Sequence, residues 1–98
     1  MIAQDVGISR ISQDNPLHLT VWPNPATHLV NMSAVNLNSQ TKTLMIVTDI
    51  LGKAVLQYDY QNKTELKESI DMSALSKGLY FIKISNDNRQ AVYRIQKE

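Results

Sequence analysis

The sequence contains no cysteine in its 98 residues, which excludes disulfides, thiol catalysis and cysteine-ligated metal sites. Its formal net charge is only +1, so there is no basic excess to bind nucleic acid or an anionic membrane. No apolar run approaches the length of a membrane span, and the first residues do not have the pattern of a signal peptide. What remains is the composition of one ordinary globular domain, 43% hydrophobic and 19% charged.

Groups that carry catalysis or hold metals are also scarce. His18 and His28 are the only histidines, and neither has the neighbouring ligands of a zinc site. The sequence has no nucleophile elbow, phosphate loop or dinucleotide motif. Asp49 and Asp71 stand near the ends of strand-like runs, where aspartate caps and bends the backbone. We therefore expect no enzyme, no catalytic residue, no metal site and no cofactor.

Short strand-like runs of apolar residues are what the chain does have. Seven runs, separated by turn signals about every 8–12 residues, predict an all-β, seven-stranded antiparallel sandwich. The predicted strands cover residues 17–22, 30–33, 43–48, 53–60, 65–72, 78–85 and 90–97. A bulge would extend the second strand to residue 37. Residues 73–76 are predicted to form a short helical turn capped by Asp71 or Ser73.

The run at 78–85 has the strongest strand character, because aromatic and β-branched residues dominate it. We predict that it is an inner strand, joined to the last run in a terminal hairpin. Apolar residues that alternate along the strands should point inward. The predicted core consists of Leu19, Val21, Val30, Met32, Met45, Val47, Val55, Ile70, Leu75, Tyr80, Ile82 and Ile84.

One domain boundary follows from the first part of the chain. Residues 1–16 are polar and weakly patterned and end at Asn15-Pro16, so we predict a linker or arm there. The folded domain is then residues 17–98. Within it, Pro23-Asn24-Pro25 predicts a rigid corner, because each proline fixes its own φ and restricts the residue before it.

Four segments, in this order and spacing, carry a family resemblance. They are a Trp-Pro-Asn-Pro corner at 22–25, a D-x-x-G-K turn at 49–53, a D-x-S-x-L-x-x-G-x-Y-F-x-K run at 71–83 and a polar, basic strand to Glu98. Together they resemble the type A C-terminal sorting domain of the type IX, or Por, secretion system of Bacteroidota. Two departures are mild: Trp22 stands where tyrosine is usual, and Thr48 occupies a position that is often aromatic. The residues that match the family motif, with structural roles, are Pro23, Asn24, Pro25, Asp49, Gly52, Lys53, Asp71, Leu75, Gly78 and Tyr80.

The resemblance implies an immunoglobulin-like sandwich that serves as the secretion address of an upstream cargo. It implies as partners the type IX translocon, its outer-membrane shuttle, a sortase-like peptidase and the cargo in cis. The route would run through the periplasm to the cell surface or beyond, with cleavage within or before residues 1–16 and the cargo then anchored. The end of the chain is the part that the family uses for recognition. Arg94, Gln96, Lys97 and Glu98 are therefore the predicted recognition residues.

Two other functions stay open, a carbohydrate-binding accessory module and a structural spacer. A sugar module would need Trp22, Tyr58, Tyr60 and Tyr93 to form a stacking platform, whereas these aromatics are dispersed along the chain. A spacer would be dispensable for secretion. The address needs an accessible last strand whose free edge can pair with another chain, and such an edge would also allow two copies to dimerise. The well-formed last strand favours the address.

Overall fold

The computed structural model describes residues 16–98, and this part of the chain is all-β, as predicted. Its seven strands are β1 (His18–Trp22), β2 (Leu29–Val35), β3 (Thr43–Thr48), β4 (Ala54–Tyr60), β5 (Glu65–Asp71), β6 (Gly78–Asn86) and β7 (Arg89–Lys97). Residues 73–76 form a turn rather than the helical turn that we expected. The arm predicted at residues 1–16 lies outside the described residues except for Pro16, so it stays a prediction.

The strands form two antiparallel sheets. One has three strands in the order β1-β2-β5, and the other has four in the order β4-β3-β6-β7. As predicted, β6 is an inner strand and forms the terminal hairpin with β7, in register from Gly78 opposite Lys97 to Asn86 opposite Arg89. Asp87, with φ of 60°, begins the two-residue loop between them.

The buried faces of both sheets form one hydrophobic cluster. Most of the predicted core lies in it: Val21, Val30, Met32, Met45, Val47, Ile70, Tyr80, Ile82 and Ile84. Leu19, Val55 and Leu75 are only partly buried and pack against the cluster. The prediction left out further members, namely Ala26, Ala34, Leu37, Leu66, Met72 and Ile95.

The predicted bulge is in the wrong strand. β2 pairs without interruption on both sides and ends at Val35, because the next residue, Asn36, has a φ of 68° that breaks the extended conformation. The register instead shifts between β3 and β4, where Val47 faces Leu56 and Thr48 faces Ala54. This leaves Val55 as an extra residue in β4. Strict alternation put Val55 and Leu56 on opposite faces, but at the bulge both pack against the core.

The connections gather at the two ends of the molecule, because successive strands run in opposite directions. One end, which we call the motif end, carries residues 23–28, 49–53 and 72–77 and the chain terminus after β7. The other, which we call the polar end, carries residues 36–42, 61–64 and 87–88 and the approach to β1 from Pro16. β6 has nine residues and connects the two ends, a span of roughly 30 Å at about 3.3 Å per residue.

Among residues 16–98, the structure has no helix long and apolar enough to cross a membrane.

Candidate functional site

The corner after β1 lies along the outer edge of β7. Ala26 and Lys97 form an isolated parallel bridge. The Ala26 amide donates to the Gln96 carbonyl at 2.7 Å, and the Ala26 carbonyl accepts from the Glu98 amide at 2.8 Å. Both peptide bonds that precede the corner prolines, Trp22–Pro23 and Asn24–Pro25, are cis. The corner therefore carries the chain from the three-stranded sheet to the edge of the four-stranded one.

Asn24 extends this contact with its side chain. Its Oδ1 accepts a hydrogen bond from the Gln96 amide at 3.0 Å, and its Nδ2 donates to the Arg94 carbonyl at 3.3 Å. Alternate residues of an antiparallel strand turn their backbone groups away from the partner strand. In β7, the outward groups from the Arg94 carbonyl to the Glu98 amide are thus all bonded by Asn24 or Ala26.

This closure corrects our expectation of a free outer edge. The expectation is wrong for the stretch from the Arg94 carbonyl to the Glu98 amide, whose outward backbone groups are bonded by the corner. It holds only nearer the hairpin loop, around Val92, because β7 is the last strand of its sheet and no described strand lies beyond it. The accessible backbone edge is therefore short.

Lys97 also differs from its prediction as an accessible residue. It is only 7% exposed, and its Nζ donates to the Glu98 carbonyl at 3.1 Å. Lys97 continues the inward alternation of Tyr93 and Ile95, which accounts for its burial. Arg94, Gln96 and Glu98 are exposed. A recognition role for these residues stays a prediction.

The turn between β3 and β4 is held by one carboxylate. Asp49 Oδ1 accepts from the amides of Leu51 and Lys53, both at 2.9 Å. Two backbone bonds close the turn, from the Asp49 amide to the Lys53 carbonyl at 3.0 Å and from the Gly52 amide to the Asp49 carbonyl at 3.1 Å. Gly52 has φ of 85°, a left-handed conformation that glycine adopts without steric cost. The geometry of this turn thus explains the aspartate and the glycine of the D-x-x-G-K pattern.

The connection from β5 to β6 holds the other motif residues. Asp71 Oδ1 accepts from the Ser73 amide at 2.9 Å, so Asp71 caps a turn here although the predicted helical turn does not form, and hydrogen bonds from Ser73 lower the pKa of the Asp71 carboxyl. The Tyr80 hydroxyl donates to the Ser76 carbonyl at 2.7 Å. Leu75 packs against the core, and Gly78, with φ of 150°, leads into β6. The motif segments and the end of the chain therefore share one end of the molecule.

Residues 20–98 match the family described as the secretion system C-terminal sorting domain. The chain belongs to this family. No curated protein is similar enough to count as a match. The matched residues include all three motif segments and β7. The sorting domain is thus a C-terminal type IX secretion signal, which implies a cargo in cis, the type IX machinery as partner, and delivery to the cell surface or extracellular space.

Asn86 is a buried polar residue of the sorting domain that our sequence analysis missed. It is 1% exposed, its Oδ1 accepts from the Asn38 amide at 2.7 Å, and its Nδ2 donates to Thr43 Oγ1 at 2.8 Å. These bonds tie the β2–β3 connection to the β6–β7 hairpin at the polar end. The alternation of Tyr80, Ile82 and Ile84 extends to position 86 and was the available signal. We instead read Asn86 as part of the loop.

The aromatic platform of the alternative sugar-binding function does not form. Trp22 is 46% exposed on the three-stranded sheet, and Tyr58 lies in the other sheet, whereas Tyr60 and Tyr93 pack against the core. Trp22 does border a surface pocket of about 180 Å³. The other lining residues are Asn31, Met32, Lys67, Glu68 and Ser69. No group of three or more possible metal ligands occurs in residues 16–98.

Proposed function

We propose that the sorting domain is the type IX address of an upstream cargo and that its partners read it at the motif end. One observation carries this proposal. Segments far apart in sequence, the corner at 23–26 and the end of β7, are bonded to each other at that end through Asn24 and Ala26. The chain reaches β1 from the polar end, so a cargo attached upstream leaves the motif end accessible.

We further propose the route that family membership supports. The precursor passes through the periplasm and is taken up by the translocon and its outer-membrane shuttle. A sortase-like peptidase then cuts within or before residues 1–16 and anchors the cargo at the surface. The domain contributes recognition and performs no catalysis of its own.

The recognition residues in this proposal are Arg94, Gln96 and Glu98, with Lys97 supporting the strand from inside. Because the outward backbone groups from the Arg94 carbonyl to the Glu98 amide are already bonded, a partner would read the side chains here rather than the backbone. This differs from recognition by strand addition, which needs an unpaired edge.

A delivery assay tests the address. The full chain is fused behind a secreted reporter in a producing cell, and the reporter is measured at the surface, in the medium and in the periplasm. We expect delivery with the intact domain and periplasmic retention after deletion of residues 94–98. The double variant Arg94→Ser, Glu98→Ser should lower delivery while its melting temperature stays near that of the parent, because exposed charges contribute little to stability. Normal delivery by the deletion variant would reject the address and favour a spacer.

For the architecture, we propose an immunoglobulin-like topology. The strand order β1-β2-β5 in one sheet and β4-β3-β6-β7 in the other supports it. So does the Tyr80 hydroxyl, which bonds back to the Ser76 carbonyl where the chain crosses between sheets, as in the tyrosine corner of such folds.

We also propose that the purified domain dimerises only through the short open edge around Val92. Val92→Pro removes an outward amide without removing a bond to β6, so it should abolish dimers in sedimentation velocity runs. Dimers that persist in this variant would place the contact elsewhere.

A second candidate function, saccharide binding, is favoured by the pocket beside Trp22. An exposed aromatic ring next to hydroxyl, amide and charged groups offers both stacking and hydrogen bonding to a sugar. Trp22 is the only tryptophan, so its fluorescence during titration with oligosaccharides reports binding at this pocket. No change across the panel would discard this function.

A further inference from the structure

Two large aliphatic side chains stand exposed at the tip of the β3–β4 turn. Leu51 is 89% exposed and Ile50 is 66% exposed, more than any other large hydrophobic residue in the described chain. Single exposed aliphatic residues are ordinary on protein surfaces. An adjacent pair at the tip of a turn is less so, because turns are normally polar.

The connections at the polar end differ in composition from this turn. At the polar end, residues 38–42, 61–64 and 87–88 contain only polar or charged side chains. The β3–β4 turn is also well fixed, since Asp49 bonds the amides of Leu51 and Lys53 on either side of the tip. None of these bonds uses the side chains of Ile50 or Leu51. The turn therefore presents both side chains with little backbone freedom left to lose on binding.

Two lysine side chains lie at the same end of the domain as the tip. The Asp49 carboxylate is occupied by the turn, while Lys53 follows the tip and Lys77 lies on a neighbouring connection at the same end. Both lysines are exposed, and neither has an ion-pair partner among residues 16–98. A surface that covers the tip would therefore gain from carboxylates at its rim.

We propose that Ile50 and Leu51 are an apolar anchor that inserts into a pocket of the type IX protein that reads the domain, and that the rim of this pocket carries carboxylates facing Lys53 and Lys77. This inference rests on the proposed function and adds to it a surface separate from β7. A protein pocket fits better than a lipid surface, because even a single acyl chain gives only marginal membrane binding, and two aliphatic residues bury far less. A pocket that encloses both side chains removes nearly all of their apolar area from water.

The test uses the reporter fused to the full chain in a producing cell. The variant Ile50→Ser, Leu51→Ser should lower the delivered fraction at least about tenfold. The variant Ile50→Leu, Leu51→Ile keeps the apolar character and should deliver within about twofold of the parent. Leu29→Ser is the matched control, because Leu29 is 54% exposed at the same end but on the other sheet, and its delivery should be unchanged.

A thermal melt of each purified variant separates recognition from folding. The Ile50→Ser, Leu51→Ser variant should have the same melting temperature as the parent, since both native side chains are exposed. If it does not, the variant Lys53→Glu, Lys77→Glu decides, because it leaves the tip intact and should still lower delivery. Parent-level delivery by the Ile50→Ser, Leu51→Ser variant overturns the anchor. If that variant melts early, parent-level delivery by the Lys53→Glu, Lys77→Glu variant overturns it instead. Neither result affects the proposed address, which the deletion of residues 94–98 tests separately. Sedimentation of the purified full chain with phosphatidylglycerol vesicles is expected to leave it in the supernatant, and co-sedimentation would overturn the protein pocket.

Discussion

The Gln96 amide donates a hydrogen bond at 3.0 Å to the side chain of Asn24, a residue 72 positions earlier in the chain. The same asparagine holds the Arg94 carbonyl, so one side chain closes the β7 edge on both sides of Ile95. Without β7, the corner would have no strand edge to bind. Without the corner, the end of β7 would have an open edge. Each of the two segments therefore satisfies backbone groups that the other would leave open.

Asn24→Ala should open the end of the β7 edge. It removes two side-chain hydrogen bonds at an exposed site, and we expect a loss of about 1 kcal/mol in the free energy of unfolding. The Gln96 amide should exchange with deuterium faster, as measured by NMR. Asn24→Asp is the matched control, because it retains the acceptor for that amide and should preserve its protection. Unchanged exchange in Asn24→Ala would show that the bridge at Ala26 closes the edge alone.

Ile82→Ala should be among the costliest truncations. Ile82 is fully buried in the inner strand β6, and truncating its side chain leaves a cavity. We expect the free energy of unfolding, measured by denaturant titration, to fall by about 2–5 kcal/mol. Val92→Ala, on the outward face of β7, should cost less than about 1 kcal/mol because Val92 is 58% exposed. Equal losses in the two variants would mean that the inner faces of the hairpin are misassigned.

Asn86→Leu should destabilise the polar end. The substitution leaves the Asn38 amide and Thr43 hydroxyl without their buried partner, and we expect a loss of about 2–4 kcal/mol in denaturant. Asn88→Ala, in the exposed hairpin loop, should change stability by no more than about 0.5 kcal/mol. A small effect at both positions would indicate that water replaces the Asn86 bonds.

Tyr60 should make stability depend on alkaline pH. Burial, with smaller contributions from Glu68 and Tyr58, raises the pKa of Tyr60 to about 12 from its usual 10.0. Since the unfolded chain loses this proton first, stability should fall as pH rises from about 10 to about 12. The denaturant midpoint of the parent should fall relative to that of Tyr60→Phe as the pH rises across this range. A parallel decline in both proteins would assign the alkaline loss to other groups.

The fold was largely predictable because it depends on a local pattern. Alternation along 78–85 is set by side-chain hydrophobicity, and it correctly placed Tyr80, Ile82 and Ile84 inside. The bulge was not predictable in the same way. Whether Val55 is an extra residue depends on which residues of β3 lie opposite β4. The alternation of apolar residues within β4 alone does not contain that register.

The motif end was predictable only in part. Asp49 and Gly52 act within a few residues of each other, so their turn could be read directly. The bond from Asn24 to β7 requires the two sheets to be assembled first, and Lys97 was misplaced because its charge suggested exposure while its position in the alternation dictated burial. Sequence reasoning found the residues of the site but not the contact that joins them.

The number of strands has a consequence of its own. Each strand takes the chain from one end of the domain to the other. After an odd number of strands, here seven, the chain therefore finishes at the end opposite to where it began. An eighth strand, or the loss of one, would return Glu98 to the side of Pro16. The strand count thus places Pro16 and Glu98 at opposite ends of the domain, about one strand length apart.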